Sequence, residues 1–191
     1  MRVDKLNRDQ IRFVYQEYMQ KDFPDNERKP LKMIEDAVTK QTYECFGLFD
    51  GEEICGYAFF VKLMNEDGRA DYLFDYLAIR EELRDQGLGG TFLSLLTDFF
   101  SDTRSMLGEV ENPEFAQNED ERKTQERRLR FYLQNGIVDT GVTAKVFGVE
   151  YRILEVVFGE RHTQEQTKEI YQRLYQSFLP KHICNAKIII H

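Results

Sequence analysis

The stretch Arg84-Asp85-Gln86-Gly87-Leu88-Gly89-Gly90 sets three glycines within four positions, between a strand-like run and a helix-like run. Before it stands "ADYLFDYLAI", rich in the aromatic and apolar residues of a strand. After it Phe92, Leu95, Leu96, Phe99 and Phe100 recur at helical spacing. Each glycine costs a helix about 1 kcal/mol relative to alanine, so three at a helix entry call for some use of the bare backbone. Close packing of the helix entry is one such use. Anion binding is the other. Free N–H groups point out of a helix's first turn, where the helix dipole is positive. Without a Cβ, a phosphate can approach that backbone. Arg84 adds a permanently charged donor fork. Two nucleotide loops are excluded, because no lysine follows the glycines and Phe92 stands where a dinucleotide loop needs its third glycine. What remains is R-x-x-G-x-G.

The flanking pattern places this loop in a mixed fold. "MRVDKL" reads as a short first strand, and Asn7 with Gln10 as a helix cap. A second helix follows Pro30. Residues 43–79 read as an antiparallel meander turning at Asp50-Gly51 and at residues 65–68. "SMLGEVE" is a short strand, "ERRLRFYLQNG" a helix stopped by Gly136, and two β-rich runs meet at Gly148. Thr163 and Gln166 cap a last helix that ends before Pro180, and "AKIII" is a final strand or a tail. The predicted fold class is α/β, a mixed, mostly antiparallel sheet with helices on both faces and a C-terminal helical extension.

Composition narrows the partners. The 191 residues carry a net charge of -8, and an acidic surface repels nucleic acid and anionic membrane at long range. No apolar run approaches the roughly 18 residues of a membrane span, and the first ten residues lack the apolar core of a signal peptide. A cytoplasmic location is expected. Cys45, Cys55 and Cys184 form no C-x-x-C pair, and the three histidines are scattered. Cys45 and Cys55 lie in apolar strand-like runs and read as buried thiols, and no metal site is expected.

The loop resembles the signature of the GCN5-related N-acetyltransferases (GNAT), [QR]-x-x-G-x-[GA], which stands here as Arg84-Asp85-Gln86-Gly87-Leu88-Gly89. A second match is Phe131-Tyr132-Leu133-Gln134-Asn135-Gly136-Ile137, similar to the family's F-Y-x-x-x-G-[FI]. The resemblance covers roughly residues 43–158, and less specifically the early helices 7–40. It implies acetyl-CoA as co-substrate, with Arg84, Gly87, Leu88, Gly89, Gly90 and Thr91 around its phosphates and Leu77 and Ile79 along its pantetheine arm. It also implies that Tyr132 protonates the departing thiolate; by itself, a helix tyrosine packed with Leu129 reads as core. The family's asparagine about nine residues before this tyrosine has no counterpart here. Asn112 lies twenty positions upstream, across an inserted polar stretch 112–125, and is not carried over as a ligand.

Acetylating an amine also requires a proton acceptor. Glu109 and Glu111 flank Val110, and strand alternation sets both on one face. Such a pair suits a cationic amine, although a solvated strand face gives the same pattern. Glu109, deeper in the strand, is the first candidate, with Asp71 and Asp75 next. The expected organisation is an N-acetyltransferase domain over 1–160 and a helical extension over 161–191, whose stripe Ile170, Tyr171, Leu174, Tyr175 and Phe178 packs on the same domain or across a homodimer. The expected function is acetyl transfer to a primary amine by direct attack in a ternary complex. The alternative is a non-catalytic acyl-CoA-binding or sensing module of the same fold.

Overall fold

Side-chain caps and strand alternation fix where the elements begin and end. A computed structural model describes residues 1–25 and 27–191. Its strands are β1 (Arg2–Lys5), β2 (Tyr43–Asp50), β3 (Glu53–Met64), β4 (Ala70–Ile79), β5 (Ser105–Glu111), β6 (Val138–Val146), β7 (Val149–Val156) and β8 (Ile188–Ile190). They form a mixed, mostly antiparallel sheet in the order β1-β2-β3-β4-β5-β7-β6-β8, with β4 and β5 parallel. The helices are α1 (Arg8–Val14), α2 (Gln20–Asp22), α3 (Leu31–Thr39), α4 (Leu88–Phe99), α5 (Glu119–Gln134), α6 (Gln164–Phe178) and α7 (Lys181–Lys187). A π-helical turn, Tyr15–Met19, joins α1 to α2. The chain divides into two compact units, residues 1–62 with 75–100 and residues 63–74 with 101–191.

In the first unit the Asn7–Gln10 capping box starts α1 as the sequence predicts. Phe46 packs edge-on against Phe60, Phe99 and Phe100, with ring centroids 5.0–5.9 Å apart. Gly56 on β3 lies tight against the end of β4. A Cβ there would come within 2.7 Å of Ile79 Cδ1 and 2.9 Å of the Ala78 carbonyl oxygen. Only a bare backbone lets the two strands approach at this point.

In the second unit β5 pairs with β4 through Asp71–Ser105, Tyr72–Met106 and Leu73–Leu107, and with β7 along the rest of its length. Helix α5 begins seven residues earlier than the helical run "ERRLRFYLQNG", because the Asn118 side chain accepts from the Glu121 N–H and caps it. Much of the polar stretch is therefore helix. The Thr163–Gln166 box caps α6, which buries Ile170, Tyr171, Leu174 and Tyr175. Residues 161–191 belong to this same unit. Pro180 does more than end α6, since it stands at the N-cap of the short α7. "AKIII" is partly strand, with β8 pairing to β6. Arg173 of α6 donates to Asn65 Oδ1 at 2.5 Å, and Asn65 donates to Asp71 at 3.0 Å. The Ser105 hydroxyl donates to the same buried carboxylate at 2.6 Å. This network ties α6 to β4 and β5.

Gly56→Ala should destabilise the protein by about 1–3 kcal/mol, since the added methyl meets a backbone oxygen that cannot swing aside. Urea unfolding measures it. An unchanged midpoint would show that the β3–β4 approach is not tight.

Candidate functional site

In the first unit the glycine loop does what its composition suggests locally. A short 3-10 turn, Glu81–Leu83, leads to Asp85 and Gly87, both at positive φ, 61° and 77°. Gly87 is the N-cap of α4, left-handed, and no side chain caps the helix. The first backbone bond of this turn runs from the Thr91 N–H to the Gly87 carbonyl at 3.2 Å. The amides of Leu88, Gly89 and Gly90 precede it and have no intrahelical acceptor. A Cβ on Gly87 would point into open space. The Thr91 hydroxyl turns back to the Gly87 carbonyl at 3.3 Å.

Arg84 has a second task that the sequence does not reveal. Its Nε donates to the Ile79 carbonyl at 3.0 Å, and its guanidinium pairs with the Asp22 carboxylate. Asp22 also accepts from the Tyr57 hydroxyl at 2.8 Å. The arginine therefore braces the loop from β4 to α2. Leu77 and Ile79 are half-buried on β4. Asp75, a reserve candidate for the base, accepts from Lys29 Nζ at 2.6 and 2.8 Å and from the Tyr43 hydroxyl. That carboxylate is already engaged by an ammonium and a phenol.

In the second unit a cavity of about 20 Å³, room for one water, is lined by Phe74, Gly108, Glu109, Tyr132, Ile137, Leu154 and Val156. It lies just past the β4–β5 pairs of this unit. Leu73–Leu107 is the last of their pairs in this unit, and Phe74, Gly108 and Glu109 follow directly. Tyr132 on α5 and Glu109 on β5 thus meet at one cavity. Burial pushes the Tyr132 phenol above its usual 10, with Arg128 opposing the shift, so the hydroxyl is protonated at neutral pH.

The carboxylates of the second unit divide sharply by environment. Glu111 is paired with Arg128 of α5 at 2.6 Å. Asp71 is fully buried in the Ser105–Asn65 network described above. Asn112 caps the 3-10 turn Pro113–Phe115, accepting from the Glu114 N–H at 3.2 Å, and is a structural residue. Glu109 Oε1 accepts from the Tyr171 hydroxyl and, at 2.5 Å, from the Tyr175 hydroxyl. Those two tyrosines are the residues that sequence reasoning assigned to packing alone. A phenol in a buried stripe needs a polar partner, and that need is the one signal pointing from α6 to a carboxylate.

No protein-family model matches the chain, and no curated protein does. Solved structures do. A protein from Bacteroides thetaiotaomicron described as a GNAT-family acetyltransferase superposes with a TM-score of 0.71 at 17% identity, covering 92% of this chain and 97% of that one. A spermidine N-acetyltransferase SpeG chimera from Vibrio cholerae and hSSAT gives 0.62 at 13% identity, covering 83% and 96%. Arabidopsis thaliana Naa50, solved with the bisubstrate analogue CoA-Ac-MVNAL, gives 0.58 at 15% identity, covering 82% and 97%. The chain has the fold of the GNAT acetyltransferases.

Proposed function

We propose that this chain is an acetyl-CoA-dependent N-acetyltransferase acting on a primary amine by direct attack in a ternary complex. The observation that carries the reading is the entry of α4. A left-handed Gly87, open space ahead of it and uncapped first-turn amides suit a phosphate. The fold supports it, since a structure of that fold holds a CoA-containing analogue. On this reading Gly87, Leu88, Gly89, Gly90 and Thr91 hold the pyrophosphate, and Leu77 and Ile79 hold the pantetheine arm.

When bound, acetyl-CoA supplies the acetyl thioester. Glu109 anchors the acceptor's ammonium group and receives its proton, directly or through water. A strand N–H near Leu77 would steady the oxyanion. Tyr132 Oη donates a hydrogen bond and then a proton to the departing sulfur. The cysteines favour direct attack over an acetyl-enzyme. All three are buried, and burial pushes the Cys45 and Cys55 thiols up. A thiol held protonated is a poor nucleophile.

Calorimetry in chelator should show acetyl-CoA binding, and Gly89→Val should weaken it about tenfold or more by blocking close approach of the phosphate. Equal affinity in the two proteins would remove the phosphate from this loop.

Release of CoA in the presence of a panel of primary amines tests turnover. Tyr132→Phe should lower kcat by about 10²–10⁴ with cofactor affinity kept. Burial raises the Tyr132 phenol, so any alkaline loss of kcat from Tyr132 should come at a higher pH than an ordinary phenol would give. Acetyl-CoA binding with no CoA release for any amine would favour the non-catalytic module.

Glu109→Gln should raise the acceptor KM or cut kcat with acetyl-CoA binding intact. Glu111→Gln should do less, because Arg128 already holds that carboxylate. Wild-type kinetics in both variants would make the pair a plain strand face.

A further inference from the structure

In the first unit the early helical segment and the glycine loop meet at one buried carboxylate. Asp22, the last residue of α2, has a side chain only 8% exposed. It pairs with the Arg84 guanidinium and accepts from the Tyr57 hydroxyl of β3 at 2.8 Å. Tyr57 is fully buried. Burial and the Asp22 carboxylate push its phenol up, so it stays a donor.

A π-helical turn aims Asp22. The buried residues of this segment run Ile11, Val14, Met19, so the last step is five residues. In an α-helix the residue below Val14 on that face is Glu17 or Tyr18. The wider turn Tyr15–Met19 puts Met19 there instead, and Asp22, three residues on, follows it onto the buried face. Single π-turns inside helices are rare and are frequent at functional sites. Packing alone does not account for the arrangement, since phenylalanine at 57 and an apolar residue at 22 would fill the space with no buried carboxylate to satisfy.

The loop that receives this contact has few holds of its own. Asp85, Gln86 and Gly87 are exposed, and Asp85 and Gly87 sit at positive φ. Their side chains contribute one long bond, from Gln86 Nε2 to the Glu82 carbonyl at 3.4 Å. Gly89 and Gly90 add backbone freedom just beyond. Arg84 reaches across the turn, from the Ile79 carbonyl at 3.0 Å to Asp22. A loop that must be ordered on binding loses affinity by that ordering, and a loop already held in shape does not.

Resting on the transferase reading, we infer that Asp22 and Tyr57 are positioning residues of the acetyl-CoA site, acting through Arg84 to hold the Leu88–Gly90 amides in the arrangement that takes the phosphates. The sign of the effect separates this from plain electrostatics. If charge alone mattered, removing an acidic side chain beside an anion site would strengthen anion binding. Removing the anchor of Arg84 weakens it.

The test is a calorimetric cycle with acetyl-CoA on the wild type, Asp22→Ala, Arg84→Ala and the double variant, with melting as the check that each is folded. Asp22→Ala and Arg84→Ala should each weaken binding about tenfold. The double variant should lose no more than Arg84→Ala alone, because Asp22 acts through the arginine. Tyr57→Phe should weaken binding by a smaller factor. If Asp22→Ala does not fold, Asp22→Asn takes its place in the cycle. Unchanged or tighter binding in a folded Asp22 variant overturns the proposal. So do losses that multiply in the double variant, and so does a loss in Asp22→Ala that Arg84→Ala does not share. A wild type that binds no acetyl-CoA at millimolar concentration overturns the transferase reading instead, and leaves the three residues as a structural brace.

Discussion

Strand β5 is held on one side by β4, from Asp71–Ser105 to Leu73–Leu107, and on the other by β7, and the chemistry of the second unit depends on that anchorage. A sheet satisfies its backbone by pairing and leaves no room between adjacent strands. Past those β4 pairs, β5 is still held by β7, from Met106–Val156 to Glu111–Tyr151. Gly108 and Glu109, just past the β4 pairs, line the cavity. Gly108 contributes no side chain, and a Cβ there would only just touch Phe74, at 3.8 Å. Tyr132 then needs only the end of α5 to arrive at the same place.

The first unit solves a different problem, the exposure of backbone amides without loss of loop shape. A helix entry with no side-chain cap is costly unless another contact holds it. Arg84 supplies that contact by joining the Ile79 carbonyl to the Asp22 carboxylate. Asp22 is itself held by Tyr57. Gly56 sets β3 against the last residues of β4, so the loop leaves from a fixed point. The brace gives a reason why an arginine heads the R-x-x-G-x-G string even before any ligand is considered.

Much of this was legible in the residues because local chemistry decides it. Two capping boxes, Asn7–Gln10 and Thr163–Gln166, form as their spacing requires. "SMLGEVE" is β5 from end to end. What could not be read were contacts between residues far apart in sequence. Nothing near Arg84 in the chain announces Asp22, and nothing near Glu109 announces Tyr171 and Tyr175. Alternation puts Glu109 and Glu111 on one face but is silent about Arg128, which pairs with Glu111. Asp71 and Asp75 read as equivalent positions on one strand. One lies in a buried network of neutral donors with arginines nearby, and the other is held by a lysine. The end of the polar run before "ERRLRFYLQNG" reads as helix, and Asn118 at the cap fixes where α5 starts.

The most direct test of the account is a nitrogen-15 amide NMR titration of the chain with acetyl-CoA. The account predicts that the largest shifts fall on the amides of Gly87, Leu88, Gly89 and Gly90, with smaller ones along Leu77–Ile79. Gly89→Val should abolish them while the rest of the spectrum stays folded. Saturable shifts centred elsewhere, or none at millimolar acetyl-CoA, would contradict it.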